Sequence, residues 1–379
     1  MPILGGGQCG NQDAWMLLGH RSCLATGVAR PQELLAHQVT LPIPCDKSVN
    51  PSFSRNPPPF LRDPLAQPAR TAPARAKTSS ERLLDLRYRL EYAALRVLML
   101  IVRAVPLDTG VKIWARIWRR LAPHQRRHKR ALANLKLAFP EKTDAEREAI
   151  ALDMWENLGR VMVELIQLDR ILADPSRIEI ASADIFARYR NKLGPAVGVS
   201  LHMGNWELAI WPLTLAGANP AAVYRTVKNP YVDQLLRDQR KDLYPAGLFG
   251  KGKVLGSREE GQKTARLIMD YVRRGGRLGL VCDLYDNHGI PVPFFGRDAK
   301  SVAIAAMIAR RVGARIWMAR CLRVGKQSRF QIELIELKVP RTRDKSADIR
   351  NITAAMQAQF EAWVRDAPEQ WMWSNRRWS

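Results

Sequence analysis

Apolar and polar positions change their spacing at Pro195. From there to the C-terminus, short apolar runs alternate with stretches in which apolar residues recur every three or four positions. The short runs predict strands at 196–201, 221–224, 277–282, 314–323 and 329–336. The periodic stretches predict helices at about 205–216 and at 230–243, 258–274, 301–312 and 346–365. This alternation favours an α/β fold with a mostly parallel central sheet flanked by helices. We expect the active site beyond the carboxyl ends of the strands.

Two basic amphipathic segments precede this region. Between Glu81 and Val105 the apolar residues are interrupted by arginines, and the longest uncharged apolar run is far shorter than the roughly 20 residues that span a bilayer. The second segment, Val111–Trp118, leads into Arg-rich sequence. Interleaved apolar and basic positions favour helices at a membrane surface, although a helical hairpin with a solvated basic face fits the same pattern. We assign 81–130 as a basic, membrane-associated helical segment and 131–379 as the α/β domain.

The first 80 residues show no sustained periodicity and hold nearly half of the chain's 24 prolines, so we interpret 1–80 as a disordered extension. The sequence does not begin with basic residues followed by an unbroken apolar stretch, so we expect no signal peptide. The 5 cysteines show no spacing typical of a zinc site or a disulfide framework, which favours a reducing compartment. We therefore expect the catalytic part to face the cytoplasm.

The charge of the chain predicts a polyanionic partner. Its 60 Lys and Arg against 36 Asp and Glu give a formal net charge of +24. Nucleic acid, an anionic membrane, a phosphorylated substrate and an acidic carrier protein all fit this charge. A nucleic-acid-binding protein is disfavoured because the sequence has no helix-turn-helix signal and no RNA-binding aromatic signature.

His202 and Glu207 are a candidate catalytic pair. His202 directly follows the predicted strand 196–201, and Met203–Trp206 turns into the next predicted helix. Residues five apart on a regular helix diverge by about 140°, so the pair needs this turn, which Gly204 permits. A neutral imidazole can take the proton of an alcohol that attacks a thioester, while a carboxylate holds its tautomer. The same two residues could instead end a strand and stabilise a helix start.

Basic and amide side chains follow the next predicted strand. Arg225, Lys228 and Asn229 lie where a phosphate or a developing oxyanion could be bound. Arg237 and Arg240 recur three positions apart on the following helix. There they form either a solvated face or a contact with a polyanion.

Asp283 follows the predicted strand 277–282, as His202 follows another strand. Because active sites in such sheets lie beyond the strand ends, both residues are candidates for the same site. The apolar segment Gly289–Gly296 downstream of Asp283 is interpreted as a loop suited to contact with an acyl chain.

Two groups of residues could be proposed as metal ligands. Asp283, Asp286 and His288 carry suitable atoms, but the sequence offers no further matching ligand. His124 and His128 are four positions apart, but the surrounding arginines would repel a cation. We expect no metal site.

Four sequence blocks resemble the lipid A biosynthesis acyltransferases of Gram-negative bacteria, the lauroyl or myristoyl transferases that add secondary acyl chains. In order and approximate spacing, the matching blocks are Ser200–Leu208, Tyr224–Pro230, Asp283 with Val292–Gly296, and Pro368–Trp378. The resemblance covers residues 85–378, and four ordered blocks are far more specific than one His and one acid. The predicted extension has no counterpart in the family. The N-terminal hydrophobic anchor of the family is usually more uniformly apolar than Leu90–Val105.

The resemblance implies a glycerolipid-acyltransferase-like fold and a donor thioester on acyl carrier protein, with no other cofactor. It implies that the acceptor is a hydroxyl of a Kdo-bearing lipid A precursor, an anionic glycolipid, at the cytoplasmic face of the inner membrane. On the matching positions His202 is the general base, Glu207 its partner, and Arg225 and Asp283 are further active-site residues. We therefore expect Asp283, like Arg225, Lys228 and Asn229, among the ligands of the substrate or the oxyanion. The alternative is an acyltransferase of the same fold that acts on another glycolipid, such as a phosphatidylinositol mannoside.

Overall fold

The computed structural model of the protein describes residues 78–182, 184, 185, 187, 194–251 and 258–378. The predicted extension 1–80 therefore lies almost entirely outside the described residues. In the described part the helices are α1 (Ser79–Ala104), α2 (Leu107–Leu121), α3 (Arg126–Ala138), α4 (Asp144–Ile166), α5 (Leu168–Leu172), α6 (Trp211–Leu215), α7 (Pro230–Gln239), α8 (Arg258–Arg273), α9 (Ile304–Val312) and α10 (Lys345–Asp366).

The central sheet has seven strands in the described part of the chain and is almost entirely parallel. In spatial order the strands are β1 (Ile178–Ile180), β9 (Phe330–Leu337), β8 (Arg315–Arg323), β2 (Ala196–Ser200), β5 (Arg277–Val281), β3 (Ala221–Arg225) and β4 (Leu248–Lys251). Among the described strand pairs of this sheet, only β8 and β9 run antiparallel. The predicted α/β fold with a mostly parallel sheet flanked by helices is confirmed.

The carboxyl ends of β2, β3, β5 and β8 lie along one edge of the sheet because these strands are mutually parallel. Strands β2 and β5 are covered on both faces, and their side chains are mostly buried. Such continuous apolar strands are typical of parallel sheets with helices on both sides. This edge carries the candidate site and is called the catalytic edge below.

Two long helices begin at capping boxes. Thr78 accepts a hydrogen bond from the backbone N–H of Glu81 while the Glu81 carboxylate accepts one from the backbone N–H of Thr78, and Thr143 and Glu146 form the same arrangement at the start of α4. Each box satisfies backbone donors that have no partner within the helix. Helix α1 therefore begins at Ser79, two residues before the predicted start of the segment.

Helix α2 packs closely along α4. A side chain on Gly159 would meet the Trp114 carbonyl and the Trp118 ring at 2.8 Å, so the glycine allows the helices to approach. The ring of Trp118 stacks on Trp155 with a centroid distance of 6.2 Å. The glycine and the stacked rings therefore fix the predicted amphipathic segment 111–118 against the helix that supports the sheet.

Helix α1 has one attached face and one exposed apolar face. Its first half contacts α7, where Asp85 accepts a hydrogen bond from the Tyr231 hydroxyl, and its end is tied to Asp169 by Arg103. Its other side exposes a stripe of large apolar side chains, called the α1 stripe: Leu83, Leu86, Leu90, Val97, Leu100 and Ile101. Among the described residues, no helix is both long enough and apolar enough to cross a membrane.

The segment Gly289–Gly296, predicted as a loop, is instead the end of strand β6 (Tyr285–Phe294) and part of its turn. It forms a hairpin with β7 (Arg297–Ser301), and Phe295 and Gly296 in the turn have φ of 53° and 67°. Two positive φ values are typical of tight hairpin turns. Phe294 and Phe295 are buried against aromatic rings, including Trp373, so they belong to the core rather than to an open acyl-chain surface.

Candidate active site

Parallel register brings His202 and Asp283 together. Ser200 at the end of β2 is the register partner of Val281 at the end of β5. His202 and Asp283 each follow two residues later and therefore lie side by side beyond the catalytic edge. The imidazole Nδ1 lies 2.8 Å from Asp283 Oδ1, and the backbone N–H of His202 donates to Oδ2 at 3.0 Å.

Asp283 is a buried anion with several donors around it. In addition to the two contacts from His202, the indole N–H of Trp371 donates to its Oδ2 at 2.7 Å. Burial alone would raise the pKa of this carboxyl, but His202 and the N–H donors outweigh burial and leave the pKa below the usual 3.8. Asp283 is therefore ionised at neutral pH.

The carboxylate fixes the tautomer and the basicity of His202. Burial lowers the pKa of the imidazole, but the charge of Asp283, its hydrogen bond and the charge of Glu207 raise it above the usual 6.5. An ionised Asp283 accepts the proton at Nδ1, so the neutral ring carries its lone pair at Nε2. No described residue forms a hydrogen bond to Nε2. The ring is 20% exposed, which leaves this nitrogen open to a substrate.

The expected partnership between His202 and Glu207 takes a different form in the structure. The carboxylate at Nδ1 is Asp283, while Glu207 forms a bidentate pair with Arg240, with N–O distances of 2.9 and 2.6 Å. Glu207 lies in the 3₁₀ turn Trp206–Ile210, where the sequence predicted a regular helix. This turn directs the carboxylate towards the end of α7, and only its charge, not a hydrogen bond, acts on His202.

The predicted anion-binding residues divide into two groups. Arg225 at the end of β3 and Lys228 just after it are exposed and form no ion pair with another described residue. Asn229, in contrast, is buried: its oxygen accepts from the backbone N–H groups of two residues at the start of α7, and its NH2 group donates to the Tyr88 carbonyl and to Glu91. Its amide is fully used by the fold, so the interpretation of Asn229 as a substrate ligand does not fit.

The role expected of Asp283 among the substrate or oxyanion ligands also changes. A carboxylate cannot stabilise an oxyanion, and this one is 1% exposed and already accepts three hydrogen bonds. Its geometry is that of a group that orients an imidazole. Sequence reasoning placed Asp283 in the site but assigned the orienting role to Glu207.

The C-terminal Trp-rich segment forms part of the site. Trp371 pairs with Met203 in an antiparallel bridge, and the backbone N–H of Met372 donates to the His202 carbonyl at 3.0 Å. The residues that sequence reasoning missed are thus Trp371, which binds Asp283, and Arg240, which binds Glu207. The order of the family blocks pointed to the first, but no local pattern distinguished Arg240 from a solvated arginine.

Several of the side chains considered as metal ligands have other partners. Both ring nitrogens of His128 are used, one accepting from Trp155 and the other contacting Glu148. The backbone N–H of His288 donates to Asp286 within a local turn. In the part of the chain that the structure describes, no group of three or more His, Cys, Asp or Glu could hold a metal ion.

Comparisons with known proteins identify the family of the chain. The family model described as bacterial lipid A biosynthesis acyltransferase matches residues 76–379. The lipid A biosynthesis myristoyltransferase of Escherichia coli K12 is 26% identical over 262 residues, which cover 67% of this chain and 75% of that protein. Lipid A biosynthesis acyltransferase 1 of Shigella flexneri gives the same values. The chain belongs to the bacterial lipid A biosynthesis acyltransferase family.

Proposed function

We propose that this protein transfers a fatty acyl chain of the lauroyl or myristoyl type from acyl carrier protein to a hydroxyl of a Kdo-bearing lipid A precursor. The observation that carries the proposal is the contact of His202 Nδ1 with Asp283 while Nε2 remains open at the catalytic edge. The family match supports acyl transfer in lipid A biosynthesis, and the mostly parallel sheet supports a glycerolipid-acyltransferase-like fold.

The proposed reaction needs one general base. Nε2 of His202 takes the proton of the acceptor hydroxyl as its oxygen attacks the thioester carbonyl carbon. The new C–O bond forms, the C–S bond breaks, and the imidazolium returns the proton to the departing carrier thiolate. Asp283 stabilises the imidazolium that forms between these steps, and Glu207 adds a second negative charge nearby. The thioester is a co-substrate, and no cofactor takes part.

The acceptor and the donor are both expected to be anionic. The exposed Arg225 and Lys228 follow β3 at the catalytic edge, where they would bind phosphate groups of the acceptor glycolipid. Acyl carrier proteins are acidic, so the net charge of +24 favours encounter with the donor as well.

The protein is proposed to act at the cytoplasmic face of the inner membrane. The α1 stripe exposes apolar side chains that would enter the acyl region, while Arg82, Arg87 and Arg96 on the same helix are exposed and suit anionic headgroups. This arrangement supports interfacial attachment through α1.

A reconstituted transfer assay tests the proposed function. The purified full chain is incubated with lauroyl or myristoyl acyl carrier protein and a Kdo2-lipid IVA-type acceptor in mixed micelles, and products are followed by mass spectrometry. A mass increase of one acyl chain on this acceptor is expected. Transfer only to a phosphatidylinositol mannoside would support the alternative acceptor, and transfer only from acyl coenzyme A would contradict the carrier-protein donor.

A further inference from the structure

The turn that carries His202 is fixed from behind by a buried ionic network. Gly204 in this turn has a φ of +56°, and a side chain on it would lie 1.8 Å from the carbonyl oxygen of Cys321 in β8. The backbone N–H of Gly204 donates to the Gln370 carbonyl at 2.9 Å, and that of Asn205 donates to the Cys321 carbonyl at 3.2 Å. The backbone of this turn is therefore set by its neighbours as well as by its own sequence.

At the centre of the network, Glu164 of α4 pairs with Arg323 of β8. Both guanidinium NH2 groups of Arg323 donate to the Glu164 carboxylate, and the Ser328 hydroxyl donates to the same carboxylate at 2.8 Å. Glu164 is fully buried and Arg323 is 9% exposed. Neither charge contacts His202 or Glu207 directly.

Two asparagines connect this pair to the catalytic turn. Asn205, three residues after His202, donates from its NH2 group to Glu164 at 3.0 Å. Asn157 donates to the Gly204 carbonyl at 3.0 Å and accepts from Arg323 Nε at 3.1 Å. The ion pair thus has one hydrogen-bonded path to the side chain of the turn and another to its backbone.

A buried ion pair is a poor way to gain stability, because the loss of hydration offsets much of its attraction. The ion pair instead constrains geometry, because each donor around Glu164 makes its hydrogen bond only when it lies at a fixed position. An imidazole that must meet both Asp283 and an acceptor hydroxyl needs this kind of fixed support, because an error of about 1 Å can cost on the order of 100-fold in rate.

We propose that Glu164 and Arg323 are positioning residues for acyl transfer, and that they act on His202 through Asn205. This inference rests on the proposed function, since it concerns the same site. Asn205 is the contact to test, because its removal leaves the ion pair and its other donors in place. Substitution of Glu164 itself would leave Arg323 buried without its counter-charge, and the variant would be at risk of misfolding.

The test compares Asn205→Ala with Ser328→Ala in the full chain. Each substitution removes one side-chain hydrogen bond to Glu164, but only the first lies on the path to the catalytic turn. We expect Asn205→Ala to lower kcat by about 10- to 100-fold with little change in KM. We expect Ser328→Ala to keep kcat within about twofold of the wild type, although its thermal stability should fall about as much as that of Asn205→Ala.

A purely structural role predicts another result. In that case kcat, corrected for the folded fraction, stays within about twofold of wild type in both variants, or falls equally in both, and the proposal is overturned. If the wild type transfers no acyl chain, the proposed function fails by itself. The proposal is then decided by the downfield proton NMR signal of the His202 Nδ1–H, assigned by its loss in His202→Gln. Loss of this signal in Asn205→Ala but not in Ser328→Ala supports the proposal, and its retention in both overturns it.

Discussion

The catalytic edge and the α1 stripe reverse the usual distribution of polar and apolar residues. Asp283 at the catalytic edge is 1% exposed and Glu164 of α4, behind this edge, is fully buried, whereas Leu83 and Leu90 on α1 are 69% and 63% exposed. Burying a charge is energetically unfavourable unless the charge is paired or hydrogen-bonded. Each of these two carboxylates accepts at least three hydrogen bonds. The exposed leucines have no such compensation in water.

This difference indicates what each region needs from its surroundings. The buried charges at and behind the catalytic edge are satisfied within the chain, because each has a partner among the described residues. The α1 stripe leaves its apolar side chains uncovered, and the proposed lipid surface would fit both its leucines and its flanking arginines. Chemistry at the catalytic edge and attachment through the α1 stripe should therefore respond to different mutations.

The largest effect is expected from Asp283→Asn. An amide at this position can donate to Nδ1, which favours the tautomer whose lone pair is on the wrong nitrogen, so kcat should fall by about 10³- to 10⁴-fold. Activity requires neutral His202 and falls as pH drops through its pKa, which Asp283 raises. The acid limb of the kcat/KM profile should therefore lie above pH 6.5 in the wild type and move to lower pH in the variant. An unmoved limb would contradict the assigned contact.

A smaller effect is expected from Glu207→Gln. The substitution keeps the shape of the side chain but removes a charge that raises the pKa of His202, and it leaves Arg240 without its ion-pair partner. We expect kcat to fall by on the order of 100-fold, with the acid limb again at lower pH. The matched control is Glu333→Gln, which weakens the ion pair with Arg320 on β8. Equal losses in the two variants would show that Glu207 acts only through the fold.

The α1 stripe should affect attachment rather than chemistry. In Leu86→Gln with Leu90→Gln, binding to vesicles that contain anionic phospholipid should weaken by about tenfold or more, because each leucine contributes up to roughly 2 kcal/mol when covered. Turnover in detergent micelles should stay unchanged. The control replaces Leu215 and Met307, which are similarly exposed elsewhere, by Gln. Equal vesicle binding by both double variants in flotation assays would remove α1 from the attachment surface.

The smallest effects are expected from Arg225→Ala and Lys228→Ala. Each removes an exposed charge, and exposed ion pairs contribute up to about 1 kcal/mol, so KM for the phosphorylated acceptor should rise about two- to fivefold. The effect should shrink as salt is added, while kcat stays nearly constant. Arg311→Ala, which removes an exposed arginine from α9, serves as control. A KM increase of the same size in that variant would show a general effect of net charge.

The strands that position His202 and Asp283 could be predicted from sequence, and so could the placement of the two residues near each other. The predicted strands 196–201 and 277–282 end within one residue of β2 and β5. Both are short apolar runs, and such runs are well defined when a strand is buried on both faces. Since both residues follow these strands directly, only the order of strands in the sheet was missing.

The partner of Glu207 could not be predicted in the same way. Its contact with Arg240 spans 33 residues and depends on the 3₁₀ turn Trp206–Ile210 and on where α7 ends. The contact between Glu164 and Arg323 spans 159 residues. Side-chain pairs this distant along the chain are set by tertiary packing, which local periodicity does not encode. The hairpin at Phe295 was missed because Pro291 and Pro293 indicate a loop, although prolines fit an open edge of a two-stranded hairpin.

The acyl-transfer rate of His202→Gln tests the central claim most directly. The full-length variant and the wild type are compared with acyl carrier protein thioester and a Kdo2-lipid IVA-type acceptor, after thermal unfolding has shown that both are folded. A general base contributes about 10²- to 10⁴-fold, so the variant should lose at least about 100-fold in kcat while still binding the acceptor. A folded variant that retains more than about a tenth of wild-type kcat would contradict the assignment of His202 as the base.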